Sequence, residues 1–175
     1  MKMNPKQAKQ VFHSLLDRNR VRWIGIARCY APAEEREDLL QEILLQVWRS
    51  LKTFEQKAQL DTWAYRVALN TALGWQRKGK RRNEKLPKDS QEVLSSLTDP
   101  QSTTAETERR MLDGFISTLS KSERAVLLLH MDNTSHETAS EILGISSAAY
   151  RVRLHRLKKK FEHTFELSRS EPYEL

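Results

Sequence analysis

Apolar residues recur every three or four positions over most of this chain, and the places where the rhythm stops divide it into helices. From about Pro5 to Tyr30 the apolar positions are Val11, Phe12, Leu15, Leu16, Trp23, Ile24, Ile26 and Ala27. That spacing predicts helix with a break near Asn19. Ala31-Pro32-Ala33 ends the segment, because proline disfavours helical backbone in the residue before it. The next helix starts near Ala33. Glu34, Glu35, Glu37 and Asp38 occupy its first turns, where carboxylates suit the helix dipole. Leu39, Leu40, Ile43, Leu44, Val47, Trp48 and Leu51 then form one stripe expected to be buried. Asp38, Gln41, Glu42, Leu45 and Arg49 fall largely on other faces.

Thr53 to Leu60 is a polar interruption. Asp61 or Thr62 can cap the following helix. It carries Trp63, Val67, Ala68, Thr71 and Ala72 on one side, extends that face to Trp75, and runs into Arg77, Lys78, Lys80, Arg81, Arg82 and Lys85. Periodicity fails from about Asn83 to Thr104. Pro87, Pro100 and a Ser/Thr/Asp/Gln-rich mix read as a linker there, with Leu86, Val93, Leu94 and Leu97 as its apolar anchors. A second helical unit begins near Ala105, with Met111, Leu112, Phe115, Ile116 and Leu119 on one face. Ser120 caps the next helix, with Glu123 placed for a capping box, and Ala125 to Leu129 is its buried run. Asn133 and Thr134 mark a turn. A short helix carries Ala139, Ile142 and Leu143, and Gly144 stops it. Ser146 or Ser147 caps a last helix holding Tyr150, Leu154, Leu157 and Phe161. The predicted fold is all-α: two small helical domains, 5–82 and 105–167, joined by a flexible linker at 83–104.

Charge adds a direction. The chain has 175 residues and a net charge of +7. Such a balance draws polyanions through phosphate neutralisation and counterion release. A basic protein with solvated lysines and arginines fits the total equally well; the clustering does not. Cys29 is the lone cysteine, so an intramolecular disulfide and a cysteine-based zinc site are excluded. It sits among apolar residues and is expected in the core. No signal-peptide core and no run of about 20 apolar residues occurs. A cytoplasmic protein without membrane insertion is therefore expected. His13, His130, His136, His155 and His163 lack metal-ligand spacing, and HExxH, Gly-rich phosphate loops and GxSxG are absent. Neither enzymatic activity nor a cofactor is expected.

Residues 135–158 have the layout of a helix-turn-helix, whose second helix can enter the major groove. Its outward side offers Ser147, Ala148, Arg151, Val152, His155 and Arg156. Arginine can read guanine O6 and N7, and Ala and Val can touch thymine methyls. Arg153, Lys158, Lys159 and Lys160 suit phosphates. The alternative is a basic surface helix without base contacts. Upstream, Trp63, Tyr65, Arg66 and Asn70 precede the basic run; aromatics and amides beside cations suit unstacked bases. Part of the Trp63 ring is also expected to anchor the core.

These residues resemble bacterial sigma factors of the extracytoplasmic-function group of the sigma-70 family, over nearly the whole chain. Asp38-Leu39-Leu40-Gln41-Glu42 through Val47-Trp48 is similar to the family's DLxQExxxxxW helix, which binds the clamp helices of the polymerase β′ subunit. The likeness implies that Asp38, Gln41, Glu42 and Trp48 face polymerase. Thr62-Trp63-Ala64-Tyr65-Arg66-Val67-Ala68-Leu69-Asn70 resembles the TWLYRIARN segment, which helps open the −10 element. The likeness assigns Trp63, Tyr65, Arg66, Asn70, Arg77, Lys78, Arg81 and Arg82 to −10 DNA and the loop Phe54–Leu60 to a base pocket. Glu141-Ile142-Leu143-Gly144-Ile145-Ser146 and Arg153-Leu154-His155-Arg156 resemble the domain that reads the −35 element, with Ser147, Ala148, Arg151, Val152, His155, Arg156 and Lys159 facing DNA. The chain departs from the family where Ala148-Ala149-Tyr150-Arg151-Val152-Arg153-Leu154 replaces the common GTVKSRL, at Ala139-Ser140, and at Gly74, where Asp is common.

The resemblance implies an alternative sigma factor. Its partners would be core RNA polymerase, through the β′ clamp helices and the β flap, promoter DNA, and an anti-sigma factor or other recruiting protein. A dimeric DNA-binding regulator and a nucleic-acid-modifying enzyme such as a recombinase are the rival readings. A regulator has no need of Asp38, Gln41 and Glu42 beside an aromatic helix of the melting type, and a recombinase needs a catalytic constellation that is missing.

Overall fold

The computed structural model describes residues 4–52, 54, 58–83 and 112–170. Helix α1 spans Pro5–Tyr30, followed by a 3-10 turn at Ala33–Glu35, α2 at Arg36–Leu51 and α3 at Leu60–Asn83. The second unit holds α4 at 112–118, α5 at Lys121–Met131, α6 at His136–Leu143 and α7 at Ser147–Ser170. The linker anchors Leu86, Val93, Leu94 and Leu97, its prolines Pro87 and Pro100, and the stretch from Ala105 to Met111 lie outside the described residues.

Helix α1 is continuous through Asn19, contrary to the expected break. Asn19 is 0% exposed. Its Nδ2 donates to the Leu15 carbonyl at 3.1 Å and to Asp61 Oδ1 at 2.6 Å, so the polar group is satisfied inside the stripe. Arg18 adds Nε and Nη2 bonds to the same carboxylate, both 3.3 Å. Burial alone would raise the Asp61 carboxyl, but the hydrogen bonds from Asn19 and Arg18 outweigh it and hold the group below its ordinary value. Asp61 and Thr62 therefore lie inside the first turn of α3, which begins at Leu60, and neither precedes the helix as a cap.

On α2 the fully buried row is Leu39, Ile43, Val47 and Leu51, while Leu40, Leu44 and Trp48 are half-buried. On α3 the buried face is Ala64, Tyr65, Ala68, Leu69 and Ala72. Trp63, Val67 and Thr71, expected on the inner face, ride at its edge. Alanine at 64, 68 and 72 lets α3 close on α1 and α2, so the larger side chains flank the contact.

In the second unit, Ser120 Oγ accepts from the Glu123 amide at 3.3 Å while Glu123 Oε2 accepts from the Ser120 amide at 2.7 Å, the expected capping box. Ser120→Ala should cost about 1 kcal/mol of this unit's stability, read as a lower melting temperature. Gly144 ends α6 at φ +65°, a left-handed backbone that glycine adopts without strain. Ser146 caps α7 through the Ala149 amide at 3.1 Å. Tyr150, at the departure from the family pattern, is fully buried and packs on the His136 ring at 5.5 Å. The atypical residue thus fills core space and leaves the outward face of α7 to its neighbours.

The units touch. Tyr30 donates its hydroxyl to the Lys121 carbonyl at 2.7 Å, and Arg124 Nη1 donates to the Cys29 carbonyl at 2.8 Å. The Tyr65 hydroxyl donates to Asp132 Oδ2 at 2.9 Å, and Arg66 donates to the Glu141 carbonyl.

Candidate nucleic-acid interface

The polar row predicted on α2 is solvent-facing at Asp38 and Gln41, whereas Glu42 is half-buried and accepts from Gln46 Nε2 at 2.9 Å. Trp48 packs its ring edge-to-face on Phe12, with centroids 5.3 Å apart. Phe12, His13, Gln41, Leu44, Leu45 and Trp48 line a groove of about 470 Å³ between α1 and α2. An apolar floor with polar Gln41 at its rim suits an amphipathic helix. Residues Phe12, His13 and Leu45 were not singled out for this surface in the sequence; the half-apolar outer face of α2 was the available signal.

On α3, Asn70 is exposed and Trp63 is half-buried, its ring 5.0 Å from that of Phe54. The part of the loop at 55–57 lies outside the described residues. Asn70 also lines a cleft of about 340 Å³ with Glu42, Gln46, Thr71, Gly74 and Trp75. Trp75 Nε1 donates to Glu35 at 2.8 Å. A Cβ at Gly74 would meet nothing within 4 Å, so the departure from Asp leaves the cleft open.

Tyr65 departs from the exposed arrangement expected of it. It is 3% exposed, and burial first, then Asp132, drives its phenol far above the ordinary value. Its position follows from helical spacing with Ala68, Leu69 and Ala72, which places it on the buried face. Arg66 is half-buried with its guanidinium turned to Glu141. Arg77, Lys78, Arg81 and Arg82 continue the backbone of α3, and their side chains lie outside the description.

Helix α7 presents the expected row. Ala148, Arg151, His155, Arg156 and Lys159 are exposed, Val152 is 50% exposed, and Ser147 is half-buried at the N-terminus. Tyr150, Leu154 and Leu157 point inward. Lys160 is a correction: it pairs with Glu123 at 3.3 Å and donates to the Thr118 carbonyl at 3.4 Å, so it is spent within the fold. A second apolar groove of about 330 Å³ lies beside α7, lined by Phe115, Leu127, Met131, Leu157 and Phe161 among others.

The profile of Sigma-70 region 2 matches residues 15–82, and that of Sigma-70, region 4 matches 109–161. The chain belongs to the sigma-70 family. It is an extracytoplasmic-function sigma factor, which directs RNA polymerase to promoters and is not an enzyme. The ECF RNA polymerase sigma-E factor of Haemophilus influenzae is 26% identical over 165 residues, covering 89% of this chain and 87% of that one. That of Escherichia coli K12 is 24% identical, covering 90% and 88%. Two solved structures share the fold. CnrH in complex with the cytosolic domain of CnrY has a TM-score of 0.66 at 19% identity, covering 94% of this chain and 91% of that one. The sigma factor RpoE in complex with the anti-sigma factor NepR, from Bartonella quintana, has 0.65 at 22%, covering 90% and 96%. Among the described residues, no helix of this sigma factor is long and apolar enough to cross a membrane.

Proposed function

We propose how the surfaces of this sigma factor divide the work. The α1–α2 groove, with Asp38, Gln41, Glu42 and Trp48, takes the β′ clamp helices of core polymerase. The groove beside α7 takes the β flap. Trp63, Arg66 and Asn70, with Arg77, Lys78, Arg81 and Arg82, hold −10 DNA, and Tyr65 supports that helix from inside. Ser147, Ala148, Arg151, Val152, His155, Arg156 and Lys159 face the −35 element. The domains run over 5–82 and 105–167, with 83–104 as the linker between them. The protein acts in the bacterial cytoplasm at the nucleoid, where polymerase and promoter DNA meet. An anti-sigma factor or other recruiting protein competes for the same grooves; the anti-sigma complex formed by the Bartonella neighbour supports this partner class.

The observation that carries this division is the α2 surface, where exposed Gln41 borders an apolar groove that the core of the domain leaves uncovered, and Asp38 is exposed three residues before it on the same helix. Gln41→Ala with Glu42→Ala should weaken binding to core polymerase while changing stability by less than about 1 kcal/mol. A pull-down titration against core polymerase checks this, and unchanged affinity removes the assignment.

A further inference from the structure

We propose that the cleft between α2 and α3 is a second base-binding site, in which Gln46 selects an unpaired −10 base carrying an exocyclic amino group. The proposal rests on the reading of α3 as the helix that holds −10 DNA. The cleft has a volume of about 340 Å³. That lies at the lower end of the roughly 300–1,000 Å³ of small-ligand sites. It is separate from the loop Phe54–Leu60. Trp63 packs on Phe54, and Asn70 follows it by about two helical turns along α3.

The two helices bring different chemistry. Helix α2 contributes Glu42 and Gln46, one turn apart on the side that lines the cleft. Gln46 Nε2 donates to Glu42 Oε1 at 2.9 Å. A carboxylate only accepts, so the amide nitrogen must face Glu42 and the amide oxygen must face the other way. Gln46 Oε1 and the second Glu42 oxygen are the acceptors that α2 brings to the site. Helix α3 contributes the exposed Asn70 amide, which both donates and accepts, and the half-buried Trp75 ring, held by its bond to Glu35. Gly74 follows Asn70 by one turn, and a Cβ there would meet nothing within 4 Å, so the missing side chain keeps this space open. Cytosine and adenine present an amino donor, N4 or N6, where thymine and guanine present an acceptor, O4 or O6. Against the oxygens of Gln46 and Glu42 an amino group gains a hydrogen bond, whereas a keto oxygen meets like partial charge. Asn70 can pair with the ring nitrogen beside that amino group, and Trp75 and Val67 supply aromatic and apolar wall. A base must leave the stack to enter, so the site acts on the opened strand.

The test uses holoenzyme assembled from core polymerase and the full chain. Promoter bubbles carry each of the four bases, or an abasic site, at one position at a time of the unpaired −10 non-template strand, and fluorescence anisotropy reads affinity. At one position the wild type should favour cytosine and adenine over thymine and guanine by about tenfold. Gln46→Leu should abolish that preference and leave preferences at other positions as they are. Gly74→Leu places a side chain in the cleft and replaces glycine by a better helix former. It should weaken the native bubble by about tenfold, yet bind the bubble that is abasic at that position as the wild type does. An unaltered preference in Gln46→Leu would overturn the proposal, and so would equal losses of Gly74→Leu on native and abasic bubbles. A loss of core affinity by Gly74→Leu without DNA would make the cleft a socket for a basic side chain of polymerase, and overturn it as well. If thermal melting shows that Gln46→Leu does not fold, the Gly74→Leu comparison decides. A wild type with no base preference anywhere in the −10 strand refutes the reading of α3 and the site with it. A preference that survives both substitutions removes the site alone.

Discussion

Arg151→Ala is expected to weaken binding to −35 DNA by about 1–3 kcal/mol and to relax the preference at a single base pair. Arg151 is fully outward on α7, one turn ahead of His155 and beside half-exposed Val152, so its loss removes a contact and leaves the core untouched. Lys159 is exposed about two turns further along the helix. Lys159→Ala should weaken all sequences alike and lower the slope of affinity against salt by about one. Fluorescence anisotropy on −35 variants at several salt concentrations separates the two. Uniform losses for both would make α7 a phosphate clamp and no more.

Asn70→Ala should leave core binding and the closed complex largely intact and reduce open-complex formation. Asn70 is exposed and lines the cleft between α2 and α3, so folding does not depend on it. Taking a base out of the stack costs a few kcal/mol, which the protein must return through pockets and stacking. Trp63 places a half-buried ring beside that of Phe54, and stacking on an aromatic is worth about 1–3 kcal/mol per base. A pre-melted bubble should therefore rescue Asn70→Ala in part, because the unstacking cost has already been met. Permanganate footprinting on duplex and bubble templates reads this directly. Equal losses on both would assign Asn70 to general DNA affinity.

The helices were legible because their signals are local. The capping box at Ser120, the stop at Gly144 and the α2 stripe each follow from a few neighbouring residues. The outward row of α7 was legible for the same reason, since Tyr150, Leu154 and Leu157 fix which side is inside. What failed was decided by distant partners. A break at Asn19 was a fair reading of a polar residue in an apolar stripe; Asp61, brought alongside by α3, joins the Leu15 carbonyl in satisfying its buried amide. Tyr65 could have been placed inside from its spacing with Ala68, Leu69 and Ala72, but its partner Asp132 belongs to the other domain. Lys160 looked like another phosphate contact on a basic helix until Glu123 was found beside it. The α1–α2 groove needs two helices and the groove beside α7 needs three, so no single stretch of sequence displays either.

Run-off transcription by core RNA polymerase with the purified chain, on promoter fragments selected from the native genome, decides whether both surfaces serve one initiating complex. Specific transcripts should appear only when the chain is added, and should fall when either the −35 or the −10 element of the fragment is altered. DNA binding by the chain with no transcript beyond that of core polymerase alone would contradict this and return the protein to a plain DNA-binding regulator.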